Sequence, residues 1–364
     1  MVDLEQVKEE MVKGRDSKPV RASDLLSTGS TLLNLALTGN WRGGFAKGQY
    51  FFIVGDSMSG KTFLSWTCLA EATVNRNFDD YRLVFDDVEG GSLMELERFF
   101  GKALAERVEP PSRASDGTPQ YSQTIDEFYF NLDDLLHGDK PCIVVLDSMD
   151  GLSSEDELDH FQASKLAVRK GKSAPGSYGD GKAKKNSATL RQCLSEMRRN
   201  GSILIIVNQT RENLARKTMF DPKVVRSGGK ALTFYNAAEL WSSVKEEIKK
   251  SVRGKNRTVG TRCKVKIKKN RFAGRKWEVL IPIYYDYGID DIESCVDFLL
   301  EEQWKTVGQK IDACGWERME PMTKSKLIRE IEEKSLEDEL RLEAAKVWKE
   351  IERACSRGRK PRYS

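Results

Sequence analysis

Four short runs of apolar residues punctuate the first two thirds of the chain: YFFIV at 50–54, RLVFD at 82–86, CIVVL at 142–146 and ILIIV at 203–207. None alternates apolar with polar, so each reads as a strand buried on both faces, the pattern of a parallel sheet covered by helices. Stretches with apolar residues three and four apart separate them, at 62–75, 93–107, 122–136 and 187–199. Strand alternating with helix predicts an α/β fold around a mostly parallel sheet. After residue 237, AELWSSV, CKVKIKK and WEVLIPIYY read as further strands that extend the sheet as antiparallel hairpins. From residue 291 the helical period returns in ESCVDFLLEEQ, TKSKLIREIEE and LEDELRLEAAKVWKEIERA, which predicts a small helical C-terminal domain.

This pattern divides the chain into a short N-terminal helix and linker (1–23, with the helix at 3–13), a core (24–290), a helical domain (291–355) and a basic tail (356–364). The chain's 364 residues are enough for such a core and a smaller companion. Charge adds little by its total, since 60 basic residues face 56 acidic ones. Its distribution says more. Seven cysteines stand without a C-x-x-C pair and there are only two histidines, His137 and His160, which argues against a zinc site and for reduced thiols. The polar, acidic start is no secretory signal, and no apolar run is long enough to span a bilayer, so a cytoplasmic protein is expected.

GDSMSGKT, residues 55–62, follows the first strand and opens the first helix. Gly55, Gly60, Lys61 and Thr62 satisfy G-x-x-x-x-G-K-[ST], in which backbone N–H groups turn toward phosphates at a helix N-terminus. The backbone through Asp56, Ser57, Met58 and Ser59, on to Phe63, is expected to hold the nucleotide. Lys61 would reach the β- and γ-phosphates, and the Thr62 hydroxyl would ligate Mg²⁺. Asp147, at the end of CIVVLD, supplies a carboxylate for that metal or its water. Glu89, in VFDDVEGG, is placed to polarise a water for attack on the γ-phosphate. Gln209 ends a buried strand where its amide meets that phosphate.

Two basic stretches follow. Residues 210–228 carry Arg211, Arg216, Lys217, Lys223 and Arg226 against Glu212 and Asp221, with Met219 and Phe220 as an apolar wedge among bases. Residues 164–187 carry Lys165, Arg169, Lys170, Lys172, Lys182, Lys184 and Lys185, with Asp180 as the one acid. Glycines and a proline suggest a flexible loop that contacts DNA or is an insertion.

With these parts in this order, the chain resembles the RecA family of DNA strand-exchange recombinases. LLSTGSTLLNLAL before the phosphate loop, VLDS, ILIIVNQTR, MFDPKVVRSGGKALTFYNA, KVKIKKNRFAG and YDYGIDDIESCVDFLLE are each similar to a segment of that family. The resemblance covers about residues 24–300 and implies a RecA-like P-loop ATPase core with ATP and Mg²⁺ as cofactors. It implies a helical filament on single-stranded DNA, pairing with double-stranded DNA, and DNA-stimulated hydrolysis in the bacterial cytoplasm or nucleoid. It maps the 210–228 segment to the second DNA-binding loop, the 165–185 stretch to the first, and Lys269 and Arg271 to cations that reach a neighbouring subunit's ATP. Departures suit a phage-encoded or otherwise distant member. Gly90 and Gly91 follow the catalytic glutamate where relatives carry histidine, Leu96 stands where an aromatic would stack on adenine, and the tail is basic. Alternatives are a RecA-fold DNA helicase or motor, an accessory ATP-binding recombination mediator, and a P-loop phosphotransferase.

Overall fold

The computed structural model describes residues 20–169, 181–212, 224–226 and 235–359. The four apolar runs become parallel strands: β1 (Tyr50–Gly55), β2 (Arg82–Asp87), β3 (Cys142–Asp147) and β4 (Ile203–Glu212). A three-residue strand, β5 (Val224–Arg226), pairs antiparallel with the end of β4. The strand-rich region forms β6 (Ala238–Val252), β7 (Lys255–Asn270), β8 (Glu278–Tyr284) and β9 (Gly288–Ile289). The sheet runs in the order β9-β8-β7-β6-β1-β4-β3-β2, parallel from β6 to β2 and antiparallel beyond β6.

Both faces of the parallel part are covered, which is why its strands read as unbroken apolar runs. Phe51, Ile53, Ile143, Val145, Ile205 and Val207 pack to one side, against helices α1 (Thr31–Thr38) and α2 (Lys61–Val74). Tyr50, Phe52, Val54, Val144, Leu146, Leu204 and Ile206 pack to the other, with α3 (Ile125–Leu136) and part of α5 (Gly181–Asn200). Helix α3 starts where Thr124 and Glu127 form a reciprocal capping box, worth about 1 kcal/mol. Helix α1 is capped by the Ser30 hydroxyl and closed by Gly39. The stretch read as 93–107 is instead two short helices, Leu96–Phe100 and Lys102–Arg107, broken at Gly101. Leu96 packs partly buried against the core.

The basic stretch read as a loop is helical at both described ends. Helix α4 (Glu155–Arg169) takes in Lys165 and Arg169, and α5 begins at Gly181, so the backbone of Lys182, Lys184 and Lys185 is helical. Lys170, Lys172, Arg216, Lys217, Phe220, Lys223, the Gly228-Gly229 pair and the helix expected at 3–13 lie outside the described residues.

Beyond β9, helices α6 (Asp291–Glu302), α7 (Lys324–Glu333) and α8 (Glu337–Ala354) surround a third cluster that includes Val296, Leu299, Leu327, Ile331, Leu340 and Val347. A hairpin of Lys305–Val307 and Lys310–Asp312, absent from the helical reading, lies between α6 and α7. Helix α8 also reaches the main core, where Trp348 meets Trp277 with ring centres 4.8 Å apart. Asp291 ties α6 back to α1, accepting from the Thr31 N–H and hydroxyl at 2.7 Å each and pairing with Arg341 at 3.2 Å. Among the described residues every cysteine is a free thiol, and no described helix is long and apolar enough to cross a membrane.

Helix α6 carries an unrelieved charge at its start. The Asp290 carboxylate caps it, accepting from the Glu293 N–H at 2.7 Å. Burial pushes that carboxyl up to about 6, against the pull of this hydrogen bond and with the push of Glu293, Glu332 and Asp291. A carboxyl raised in the folded state disfavours folding once ionised, so the penalty grows as pH rises from about 4 through about 6. Asn caps as well as Asp. Asp290→Asn should therefore be more stable than the unsubstituted chain by about 1–2 kcal/mol at pH 7 and indistinguishable from it near pH 4, as read by urea unfolding.

Candidate functional site

Parallel pairing sets the ends of β1, β4, β3 and β2 side by side. Gly55 lies opposite Gln209, Leu146 opposite Ile206, and Asp87 opposite Asp147. One edge of the sheet thus carries the phosphate loop, Gln209, Asp147 and the turn that holds Glu89. The C-terminal edge of an open parallel sheet is where ligands bind in such folds.

The loop is pinned from within. A Cβ on Gly55 would come 2.3 Å from the Ser242 carbonyl oxygen and 2.5 Å from the Ser59 hydroxyl, so only glycine lets β1 and β6 run on together here. Gly60, at φ 80°, turns the chain into α2. The Ser242 hydroxyl donates to the Ser59 carbonyl at 2.6 Å, and the Ser59 hydroxyl to the Asp56 carbonyl at 2.7 Å. Lys61 is buried and folds back to donate to the Asp56 carbonyl at 2.7 Å. Burial pulls its pKa down, opposed by Asp147, Glu89, Asp56 and Asp150.

Thr62 donates to Asp147 at 2.6 Å. Burial pushes the Asp147 carboxyl up to about 6; the Thr62 bond and Lys61 resist, while Glu89 and Asp87 add to the rise. A bound cation beside these two oxygens would remove that penalty. Among the described residues no cluster of three or more His, Cys, Asp or Glu is arranged to hold a metal. Thr62 and Asp147 offer the one or two protein oxygens that Mg²⁺ usually takes at phosphates, where phosphate and water supply the rest.

Glu89 joins the two halves of the site. The Ser148 hydroxyl donates to its carboxylate, and the Gln209 amide donates to the same oxygen at 3.0 Å. Glu89 is set by a turn that Asp87 closes, accepting from the N–H groups of Gly91 at 3.2 Å and Ser92 at 2.9 Å. Helix α2 braces that turn through the Trp66 indole, which donates to Ser92 at 2.6 Å. The residue signalled in sequence was Glu89; its supports Asp87, Ser92 and Ser148 could be found only as polar residues at strand ends.

Asp150 is a further member that the sequence reading missed. Its carboxylate accepts from the Gln209 N–H at 2.7 Å and pairs with Arg211 at 3.1 Å. Thr210 donates to Asp56 in the phosphate loop. The end of β4 before Glu212 is thus tied to the phosphate loop, to Glu89 and to the β3 turn within the three residues Gln209 to Arg211.

Three expected site residues lie elsewhere. Lys269 is opposite Glu239, which is itself opposite Phe52, three residues before Gly55 on β1. That is roughly 10 Å back along the strand from the phosphate loop. Its ammonium donates to Asn236 at 2.7 Å, and burial, with help from Arg271 and against Glu239, lowers its pKa to about 8. The Arg271 N–H donates to the Ala237 carbonyl at the same end. Neither sits in this chain's own phosphate site. Arg226, expected to face DNA, is buried instead: its guanidinium lies over the Phe52 ring at 4.3 Å and 3.6 Å from Glu239. A guanidinium buried on an aromatic face and an acid holds the segment down and offers little to a phosphate. Of the expected DNA contacts that are described with side chains, Arg211 remains largely exposed.

The comparisons agree with this architecture. The RecA N-terminal domain family matches residues 130–290, which span β3 to β9. Protein RecA of Xanthomonas campestris pv. campestris (strain B100) is 25% identical over 350 residues, covering 91% of this chain and 92% of that protein. Protein RecA of Clostridioides difficile (strain 630) is 26% identical over 280 residues, covering 75% of this chain and 69% of that protein. Protein RecA of Malacoplasma penetrans (strain HF-2) is 23% identical over 282 residues, covering 77% and 74%. A mostly parallel sheet whose edge gathers Lys61, Thr62, Glu89, Asp147 and Gln209 thus goes together with similarity to RecA proteins along nearly the whole chain and to the RecA N-terminal domain over residues 130–290.

Proposed function

We propose that the chain is an ATP-dependent DNA recombinase, which assembles as a filament on single-stranded DNA, pairs it with a homologous duplex and hydrolyses ATP when DNA is bound. The observation that carries this reading is the hydrogen bond between Gln209 and Glu89. It joins the carboxylate best placed to orient an attacking water to the strand that leads directly into the basic 210–228 segment. A γ-phosphate in the loop would compete for the Gln209 amide, and a shift of Gln209 would move Thr210 and Arg211 with it. Order in that segment would then follow the nucleotide.

In this reading the loop backbone and Lys61 hold the triphosphate, and Thr62 and Asp147 hold Mg²⁺ against it. Bound there, the metal would neutralise charge on the phosphate oxygens. Glu89 orients water and takes its proton, while Asp150 keeps Gln209 and Arg211 in register. Lys269 and Arg271 lie on β7 and just past it, back along the sheet from their own phosphate loop, which suits cations that complete the site of the next subunit.

Hydrolysis by the purified chain should rise strongly with single-stranded DNA. Glu89→Gln should bind ATP but hydrolyse it about 100-fold more slowly or worse, and Gln209→Ala should keep basal hydrolysis while losing the response to DNA. Hydrolysis indifferent to DNA in the unsubstituted chain would sink the proposal. If the site is shared between subunits, a mixture of Lys61→Ala and Arg271→Ala chains should hydrolyse ATP faster than either alone. A mixture no better than its components would mean that each chain carries a complete site.

A further inference from the structure

Between the sheet and the C-terminal helices lies a cavity of about 420 Å³. Leu280 and Pro282 of β8, Phe298 of α6, and Trp348 and Ile351 of α8 give it apolar walls, and Trp277, just before β8, completes them. The rings meet in series: the Trp348 ring centre lies 4.8 Å from that of Trp277 and 5.7 Å from that of Phe298. Packing of a helical domain against a sheet accounts for this much.

The polar atoms do not fit that account. The indole N–H groups of Trp277 and Trp348 are both buried, and neither has a hydrogen-bond partner among the described residues. Trp348 as a whole is only 4% exposed. An indole N–H can donate but not accept, and left buried and unpaired it costs stability. Two such donors on one cavity call for acceptors from outside it.

The rim sets the charge of what can enter. Arg262 is taken up by Glu246, Glu293 and Asp297, and Lys264 by Glu278. Glu301 and Glu302, at the end of α6, are exposed and have no ion pair among the described residues. Of the cations that line the cavity, Lys245 alone lacks one among the described residues. Unpaired carboxylates repel phosphate groups, so a cationic ligand is favoured over a nucleic acid.

Aromatic walls suit extended, proline-bearing peptides, whose proline rings lie on the aromatic surface while exposed backbone carbonyls can accept from N–H donors. Such a peptide is joined to this cavity. Helix α8 ends at Ala354, just beyond Ile351, and residues 356–364 read SRGRKPRYS. They hold four cations, no acid, Pro361 and Tyr363. A residue before proline, here Lys360, favours extended backbone. Ser356 to Arg359 are exposed, and Lys360 to Ser364 lie outside the described residues. Stretched out, Ser356 to Tyr363 reach roughly 26 Å, against about 6 Å of helix between Ile351 and Cys355.

We propose that residues 360–364 dock in this cavity as an extended strap. Pro361 lies against Trp277 and Trp348, backbone carbonyls accept from the two indole N–H groups, and Lys360 and Arg362 pair with Glu301 and Glu302. The strap clasps α6 and α8 to β8 and does not depend on the recombinase reading.

The test titrates a fluorescently labelled peptide, RGRKPRYS, onto the full chain and onto a chain shortened to end at Arg359. A tethered tail competes at high effective concentration, so the shortened chain should bind the peptide at least about tenfold more tightly. A scrambled peptide of the same composition should not distinguish the two chains. Two variants of the shortened chain locate the peptide. E301Q/E302Q, at exposed positions, should weaken binding about fivefold, and W277F, which keeps a ring and loses one N–H, about threefold or more. Thermal melts check folding, and should W277F fail to fold, E301Q/E302Q decides alone. Equal affinity for the full and shortened chains would overturn the strap and leave a groove open to another molecule. An absence of binding to the shortened chain would overturn it outright. Binding that ignores both variants would put the peptide on another surface and overturn it as well.

Discussion

The pairing of Gly55 with Gln209 is the constraint on which the rest of the site depends. It fixes the end of the phosphate-loop strand against the end of β4, and parallel pairing carries that alignment across to Asp147 and Asp87. A slip of one residue would turn Gln209 to the other face of the sheet and away from Glu89. The core resists such a slip because Phe51 and Ile53 must stay on one side and Tyr50, Phe52 and Val54 on the other. Hydrophobic packing thereby fixes the distance between two polar groups that have no direct share in it.

The edge so formed concentrates charges that would not otherwise be buried together. Lys61 is held among carboxylates, and Asp147 is raised because it is buried and has acidic neighbours. The desolvation of these groups is a standing cost to the empty protein. It is also what makes the site receptive: a polyanion with its metal would satisfy Lys61 and Asp147 together. The hydrogen bonds from Gln209, Thr210 and Arg211 to Glu89, Asp56 and Asp150 tie the outgoing chain to whichever state the edge adopts.

Basic residues in this chain serve opposite ends, and their surroundings separate them. Arg226 and Lys269 converge on Glu239 at the end of the sheet far from the phosphate loop, where burial lowers both pKa values. Lys250, Arg253, Lys255 and Arg257, on the hairpin of β6 and β7, are exposed and have no ion pair among the described residues. The first group is built into the fold, and the second is left available.

Much was legible in the sequence because local rules governed it. Continuous apolar runs betrayed strands covered on both faces, and the glycine and lysine spacing of residues 55–62 picked out the turn that joins β1 to α2. Asp147 and Glu89 were legible as acids at strand ends. Other features had no local signature. Asp150 is one more aspartate in a polar turn until β3 and β4 are placed side by side. Arg226 and the cations at 249–257 look alike as letters, yet one lies over Phe52 and the others point into solvent. The broken helix at Gly101 and the Lys305–Asp312 hairpin were lost because short elements carry too few periods to read. The sequence by itself determined which of the long periodic segments become strands and helices and which residues could handle a phosphate, since both follow from neighbours along the chain. Only the tertiary structure decided which of those residues meet and which cations are buried, because pairing register and burial depend on residues far apart in sequence.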